Sequence, residues 1–298
     1  MCIISKGDIY VYRILFADNE KMALLSSERS LPLEDYHMAA TASICDSYEA
    51  MHQLENSYFD AAFLDIRMPG LSGLDIIRRR VEQEVCPAFV VISGYSDFAY
   101  MKQAIQLGAF DYCLKPLQSM ESTALLTRLE PYLYQNRLKN SSLLLSRLSS
   151  PETQEDTLAR LGIKETGEPL TVIAASVPSC RSLLFLPVEN FAALFLEEQK
   201  ALIFSTASPS AVGEEINRLL AISDCRLAVG NFNRSAGRLD RLVEKLQTDL
   251  LLTSPDMPLI QSVAASSNDA FQKLLGEVRQ NYTAELSLQT LAQTFNLS

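Results

Sequence analysis

The sequence predicts an α/β protein: a (βα)5 doubly wound parallel sheet, then a second α+β domain, then a short all-α segment. Three observations carry this. Between residues 12 and 130, short apolar runs alternate with helical patterns five times, as in a parallel sheet covered by helices on both faces. Four of those runs stop at a residue able to do chemistry: Asp18, Asp65, Ser93 and Lys115. The second half orders its apolar runs as strands joined by a tight turn, a helix, a strand and a helix, the habit of an α+β unit.

The elements follow in order. Arg13–Ala17 reads as a buried strand ending in Asp18-Asn19-Glu20, with helical spacing through Met22, Leu24, Leu25 and Leu31. A weaker strand covers Ala39–Ile44, and a helix spans about 47–56. Ala61-Ala62-Phe63-Leu64 is a strand apolar on both faces that ends abruptly in Asp65. A Pro69-Gly70 turn and Gly73 precede a helix carrying Leu74, Ile76, Ile77 and Val81. Ala88–Ile92 leads to Ser93-Gly94, a helix runs from about 98 to 107, and Phe110–Leu114 ends in Lys115-Pro116. In a parallel sheet these strand ends share one edge, where open α/β sheets bind ligands.

Composition narrows the function classes. With 298 residues, 48% hydrophobic and 21% charged, the chain suits about two globular domains. No apolar run approaches a membrane span, and Met1–Asp8 is too short and polar for a signal peptide. Six scattered cysteines imply reduced thiols in a cytoplasm, not a disulfide framework or a zinc ribbon. His37 and His52 lack ligand spacing and read as surface or packing residues. A net charge of −10 does not suit a complete nucleic-acid-binding protein. Residues 1–11 read as a tail. Lys6-Gly7-Asp8 is compatible with codons spelling a ribosome-binding sequence just upstream of Val11, so Val11 is the expected natural start.

Four stretches carry a resemblance: Arg-Ile-Leu-Phe-Ala-Asp-Asn-Glu, Phe-Leu-Asp-Ile-Arg-Met-Pro-Gly-Leu-Ser-Gly, Val-Val-Ile-Ser-Gly-Tyr and Asp-Tyr-Cys-Leu-Lys-Pro. Residues 12–130 thereby resemble the receiver domain of two-component response regulators. The resemblance implies that Asp65 accepts a phosphoryl group from a sensor histidine kinase. It implies Mg²⁺ ligation by Asp18, Asp65 and the backbone carbonyl of Arg67, with Asn19 a weak ligand. Lys115 would neutralise phosphoryl oxygens, Ser93 would be the switch hydroxyl, Tyr112 the aromatic that changes rotamer, and Pro116 would follow a cis peptide. One position departs from the pattern. Asn19 stands where the family usually carries a second acid, so Mg²⁺ should bind more weakly.

Beyond the receiver, residues 131–151 read as a linker helix that Pro131 should kink or restart, forming either a short leucine seam between chains or a helix packed on its own domains. Residues 152–262 read as a middle relay or dimerisation domain. Strands are expected at 170–175, 183–186, 191–196, 201–204 and 226–229, with helices at 155–161, 211–220 and 236–251. The order resembles a ferredoxin-like sheet and, distantly, a degenerate cyclase domain. Catalytic cyclases carry glycines at the hairpin turn that Glu197-Glu198-Gln199-Lys200 fills here. A helix capped at Asn268 or Asp269 follows. Residues 263–298 then resemble the truncated start of an AraC-type DNA-binding domain, with Ser298 at the cap of the recognition helix. The whole resembles YesN-like response regulators. It implies a cytoplasmic regulator, not an enzyme, that dimerises on phosphorylation and binds DNA in its full-length form but not specifically through residues 1–298. The alternative is an atypical receiver that serves as a protein-interaction module without DNA binding.

Overall fold

The computed structural model describes residues 12–94, 98–150, 152–165, 169–183, 191–232 and 238–261. The N-terminal tail, the expected strand residues 184–186 and the AraC-like segment 263–298 lie outside the described residues.

The first unit is the expected (βα)5 sheet. Its elements are β1 (Tyr12–Ala17), α1 (Lys21–Ser30), β2 (Met38–Ile44), α2 (Ser47–Asn56), β3 (Ala61–Asp65), α3 (Gly73–Arg80), β4 (Ala88–Ser93), α4 (Phe98–Gln106), β5 (Asp111–Leu114) and α5 (Ser119–Leu148). A 3₁₀ turn at Leu33–Tyr36 precedes β2. All strands pair in parallel in the order β2-β1-β3-β4-β5. The apolar runs bury both faces. Ile14 and Phe16 pack toward α1 and α5, whereas Leu15 and Ala17 pack toward α2, α3 and α4. Phe16 stacks on Phe63 with ring centroids 4.8 Å apart. Local signals set the helix starts. Asp46 accepts from the Tyr48 and Glu49 amides, and Ser72 with Asp75 forms a reciprocal capping box. His37 and His52 are exposed.

The second unit comprises α6 (Gln154–Arg160), β6 (Leu170–Ser176), β7 (Phe191–Glu197), β8 (Lys200–Ser205), α7 (Pro209–Leu220), β9 (Arg226–Phe232), α8 (Leu239–Leu251) and β10 (Leu259–Gln261). Its sheet order is β10-β9-β6-β8-β7, antiparallel except for the parallel β10–β9 edge. One face packs on α8, the other on α7. Leu183 lies in a 3₁₀ turn, Cys180–Leu183, and does not start a strand. β10 was not anticipated; three residues after a proline have no periodicity to read.

The expectation of a restart at Pro131 needs correction. α5 runs through Pro131 as one helix of 30 residues and does not restart there. A mid-helix proline forfeits one hydrogen bond, and packing holds the helix regardless: Leu125, Leu126, Leu129 and Leu133 are buried against the first sheet, Leu144 and Leu148 against the second. Of the two readings offered for this stretch, the helix packed on its own domains is the one observed.

Both units close on a single buried carboxylate. Asp60, just before β3, is 2% exposed. Its Oδ1 accepts from the Tyr58 hydroxyl at 3.2 Å and Arg137 Nε at 3.0 Å. Its Oδ2 accepts from the Arg13 amide at 2.8 Å and Arg137 Nη2 at 2.6 Å. Arg137, on α5, lies over the rings of Tyr12 and of Phe195 in β7. The Arg137 backbone carbonyl accepts from Ser141 Oγ, which in turn accepts from the Phe195 amide at 2.9 Å.

Removing one partner of such a pair leaves an uncompensated buried charge. Asp60→Asn is expected to destabilise the protein by about 3 kcal/mol or more, and the double variant Asp60→Asn/Arg137→Met by less than the single change. Urea unfolding followed by fluorescence and circular dichroism checks this. A loss under about 1 kcal/mol would mean that the pair does not hold the joint.

Candidate phosphoacceptor site

The strand order places β1 and β3 side by side, and the chain leaves β1 toward opposite edges on either side of it. Their carboxyl ends flank the topological switch point of a flavodoxin-like sheet. Ala17 is in register with Leu64, so Asp18 and Asp65 arrive at the same level. Asp65 in turn is paired with Ile92, and Ser93 with Leu114, which brings Ser93 and Lys115 to the same edge.

Lys115 joins the two acids. Its Nζ donates to Asp18 Oδ2 at 2.5 Å and to Asp65 Oδ1 at 2.6 Å. The remaining carboxylate oxygens are held by backbone: Asp65 Oδ2 accepts from the Arg67 amide at 2.7 Å, and Asp18 Oδ1 from the Glu20 amide at 3.0 Å. Burial would lower the Lys115 pKa, but the hydrogen bonds it donates to Asp18 and Asp65, with their charges, outweigh it and hold the ammonium above its usual range. Asp18, Asp65 and Ser93 are buried, and Lys115 and Tyr112 are half-buried. The Lys115–Pro116 peptide is cis.

The loop after β3 is shaped by glycine. A Cβ on Gly73 would lie 2.3 Å from the Asp65 carbonyl oxygen, and Gly70 has φ +87°. Only glycine allows α3 to begin this close to the end of β3. Sequence reading noticed Gly73 as a turn residue and missed its role as the spacer behind Asp65.

Beside the acids lies a groove of about 600 Å³, lined by Asn19, Arg67, Met68, Asp75 and Tyr100 among others. Arg67 lies over the Tyr100 ring. Asn19 is exposed on this groove and takes no place in the Lys115 network as described. Among the described residues no cluster of three or more His, Cys, Asp or Glu side chains forms a metal cage. Two buried carboxylates beside an open groove nevertheless suit Mg²⁺, which keeps several waters and takes few protein oxygens. The residues present therefore fit the ion.

Residues 14–127 match the family of response regulator receiver domains. The transcriptional regulatory protein HptR of Staphylococcus aureus is 28% identical over 136 residues, covering 46% of this chain and 53% of that protein. An uncharacterized response regulatory protein of Staphylococcus epidermidis is 30% identical over 107 residues, covering 36% of this chain and 42% of its own length. The chain thus spans about half the length of the curated relatives it matches. Among solved structures, the REC domain of AraT, a response regulator from Geobacillus stearothermophilus, is 28% identical, with 43% of this chain and 98% of that chain covered and a TM-score of 0.40. Receiver domains are signalling modules that work in two-component systems and generally bind Mg²⁺ at their phosphorylation site. Sequence match, strand order and converging acids agree, and residues 14–127 of this chain are a response regulator receiver domain.

Proposed function

We propose that this protein is a cytoplasmic response regulator, phosphorylated on Asp65 by a sensor histidine kinase and controlling transcription. The observation that carries the first part is the pairing of Lys115 with Asp65 and Asp18 at the end of the central strand. An Asp65 carboxylate oxygen would attack the phosphorus of the kinase phosphohistidine. The P–N bond breaks as the P–O bond of an acyl phosphate forms, and the imidazole leaves. Catalysis here is positioning and charge neutralisation. Lys115 is already in place to move from the free carboxylates to the phosphoryl oxygens. Bound Mg²⁺ would add charge neutralisation, held by Asp18, Asp65 and the Arg67 carbonyl. Ser93, at the adjacent strand end, and Tyr112, on the outer strand, would relay the change to the α4–β5 face. That face exposes Phe98, Ile105 and Leu114, an apolar set suited to a homodimer formed on phosphorylation.

The output half of the reading rests on relatives named transcriptional regulators and on the AraC-like pattern of residues 285–298. We read the second sheet as a ferredoxin-like relay or dimerisation module. The β7–β8 turn, Glu198-Gln199, holds none of the glycines that let a cyclase turn approach phosphates, so we assign it no catalytic role. No described helix is long and apolar enough to cross a membrane. A second reading, a receiver that signals only through a protein partner, is favoured by the same exposed apolar residues on α4.

Three outcomes are expected. Acetyl phosphate or beryllofluoride with Mg²⁺ should modify Asp65 alone, read by mass spectrometry of the adduct; equal labelling of an Asp65→Asn variant would sink the assignment. Asn19→Asp restores a charge beside Asp18 and should tighten Mg²⁺ binding severalfold and speed phosphorylation. Equal Mg²⁺ affinity in a calorimetric titration would show that Asn19 does not weaken the metal site. Finally, residues 1–298 should show no sequence-specific DNA binding by anisotropy, whereas a chain extended through a complete AraC-type pair of helix-turn-helix units should bind, more tightly when phosphorylated. Specific binding by residues 1–298 would relocate the DNA-reading surface, and failure of the extended, phosphorylated chain would favour the protein-partner reading.

A further inference from the structure

A second cleft lies at the opposite edge of the receiver sheet from Asp65. It forms where the strand starts of β3 and β4 and the end of α3 meet the last turns of α5 and α6. Tyr58, Pro87 and Leu144 supply apolar wall, and three arginines, Arg80, Arg147 and Arg160, also line it. The walls leave room of about 20 Å³, enough for one water-sized atom.

Each arginine stands in or next to the last turn of its helix, where a cation complements the free carbonyls. That explains why arginines occur there, but not why Arg80 is buried. Arg80 is 7% exposed. Its Nε has no hydrogen-bond partner among the described residues, and its Nη2 reaches the Val85 carbonyl only at 3.5 Å. The neighbouring acids are engaged elsewhere or lie in solvent: Arg147 pairs with exposed Glu84 at 3.4 Å, and Arg160 with exposed Asp156 at 3.1 Å. Glu55, the other acid near Arg80, is exposed. Burial lowers the Arg80 pKa, with Cys86 and Glu55 opposing it and the nearby Arg160 adding to it. A buried guanidinium beside a second cation, with no carboxylate on it, is strongly unfavourable unless an anion completes the site.

We propose that this cleft binds a phosphate group through Arg80, Arg147 and Arg160. Guanidinium forks match phosphate oxygens in pairs. The room inside admits one oxygen, so the remainder of the group sits at the mouth. Inorganic phosphate and the phosphate end of a small metabolite both present this chemistry. The site draws on both halves of the molecule. Tyr58, Arg80 and Pro87 belong to the receiver, whereas Leu144, Arg147 and Arg160 belong to the helices against the second sheet. Tyr58 is also the link to the joint: its amide donates to the Arg160 carbonyl at 2.8 Å and its hydroxyl to Asp60. An occupant therefore stabilises the docked arrangement by mass action.

The test is a titration of the full chain with inorganic phosphate against chloride at matched ionic strength, read by calorimetry and by thermal midpoint. Saturable binding with a rising midpoint is expected, and it should persist in Asp65→Asn, which separates it from the phosphoacceptor site. Arg80→Gln should weaken binding by about tenfold or more. Arg160→Gln, at a more exposed position, should do the same and covers the case in which Arg80→Gln fails to fold. Glycerol 3-phosphate is the second probe: tighter binding than inorganic phosphate identifies an esterified ligand, and equal or weaker binding identifies the free ion. No saturable effect in the unaltered chain, or unchanged affinity in the folded arginine variants, would overturn the proposal.

Discussion

The Asp60 carboxylate is the constraint on which the rest of the molecule depends. It accepts from two strand-edge groups of the receiver, the Arg13 amide and the Tyr58 hydroxyl, and from the guanidinium of α5. Two charges held out of water are costly, and only saturation of their hydrogen-bonding capacity makes the arrangement tolerable. Here the carboxylate lone pairs are met four times over, and the guanidinium lies against two aromatic rings. This geometry fixes α5 relative to β1 and β3. Because the same helix packs on β7, it also fixes the second sheet relative to the first.

The receiver chemistry sits at the other end of those strands. β1 and β3 start at the joint, and just past β1 and at the end of β3 lie Asp18 and Asp65. A rearrangement at the phosphoacceptor edge and one at the joint are therefore separated by a single strand length of close-packed side chains such as Phe16 and Phe63. Packed interiors shift between discrete arrangements and deform poorly. The fold thus offers a short mechanical path between the edge that holds Asp18 and Asp65 and the docking of the second sheet.

Much of this was legible in the residues. Runs such as Phe63-Leu64 and Val90-Val91 have no polar face, and a polar residue at a strand end marks its carboxyl edge. Asp18, Asp65, Ser93 and Lys115 were found by that logic alone, because a parallel sheet brings strand ends together whatever its helices do. The joint was not legible. Asp60 looks like an ordinary polar residue before a strand, and its partner lies 77 positions away on α5. Nothing in either neighbourhood announces the pairing. The continuity of α5 was hidden for a different reason. Proline carries a strong local penalty, and the burial of Leu129 and Leu133 that overrides it is a tertiary fact. Asn19, expected as a weak ligand, is exposed beside Asp18.

The course of α5 along β7 has one more consequence. β7 is the outermost strand of its sheet, and α5 lies against it from both faces, with Ser141 accepting from a β7 backbone amide. An uncovered outer strand is a template for pairing with another chain, and proteins blunt such edges with helices, charges or bulges. Here the cover is the tail of a helix whose first half belongs to the receiver. The two units share a wall, and the conventional boundary after the receiver's last helix would run through it. A gene fusion or a proteolytic cut at that point would leave a sticky sheet margin behind, so recombination of this receiver with other partners is constrained to carry the whole helix along.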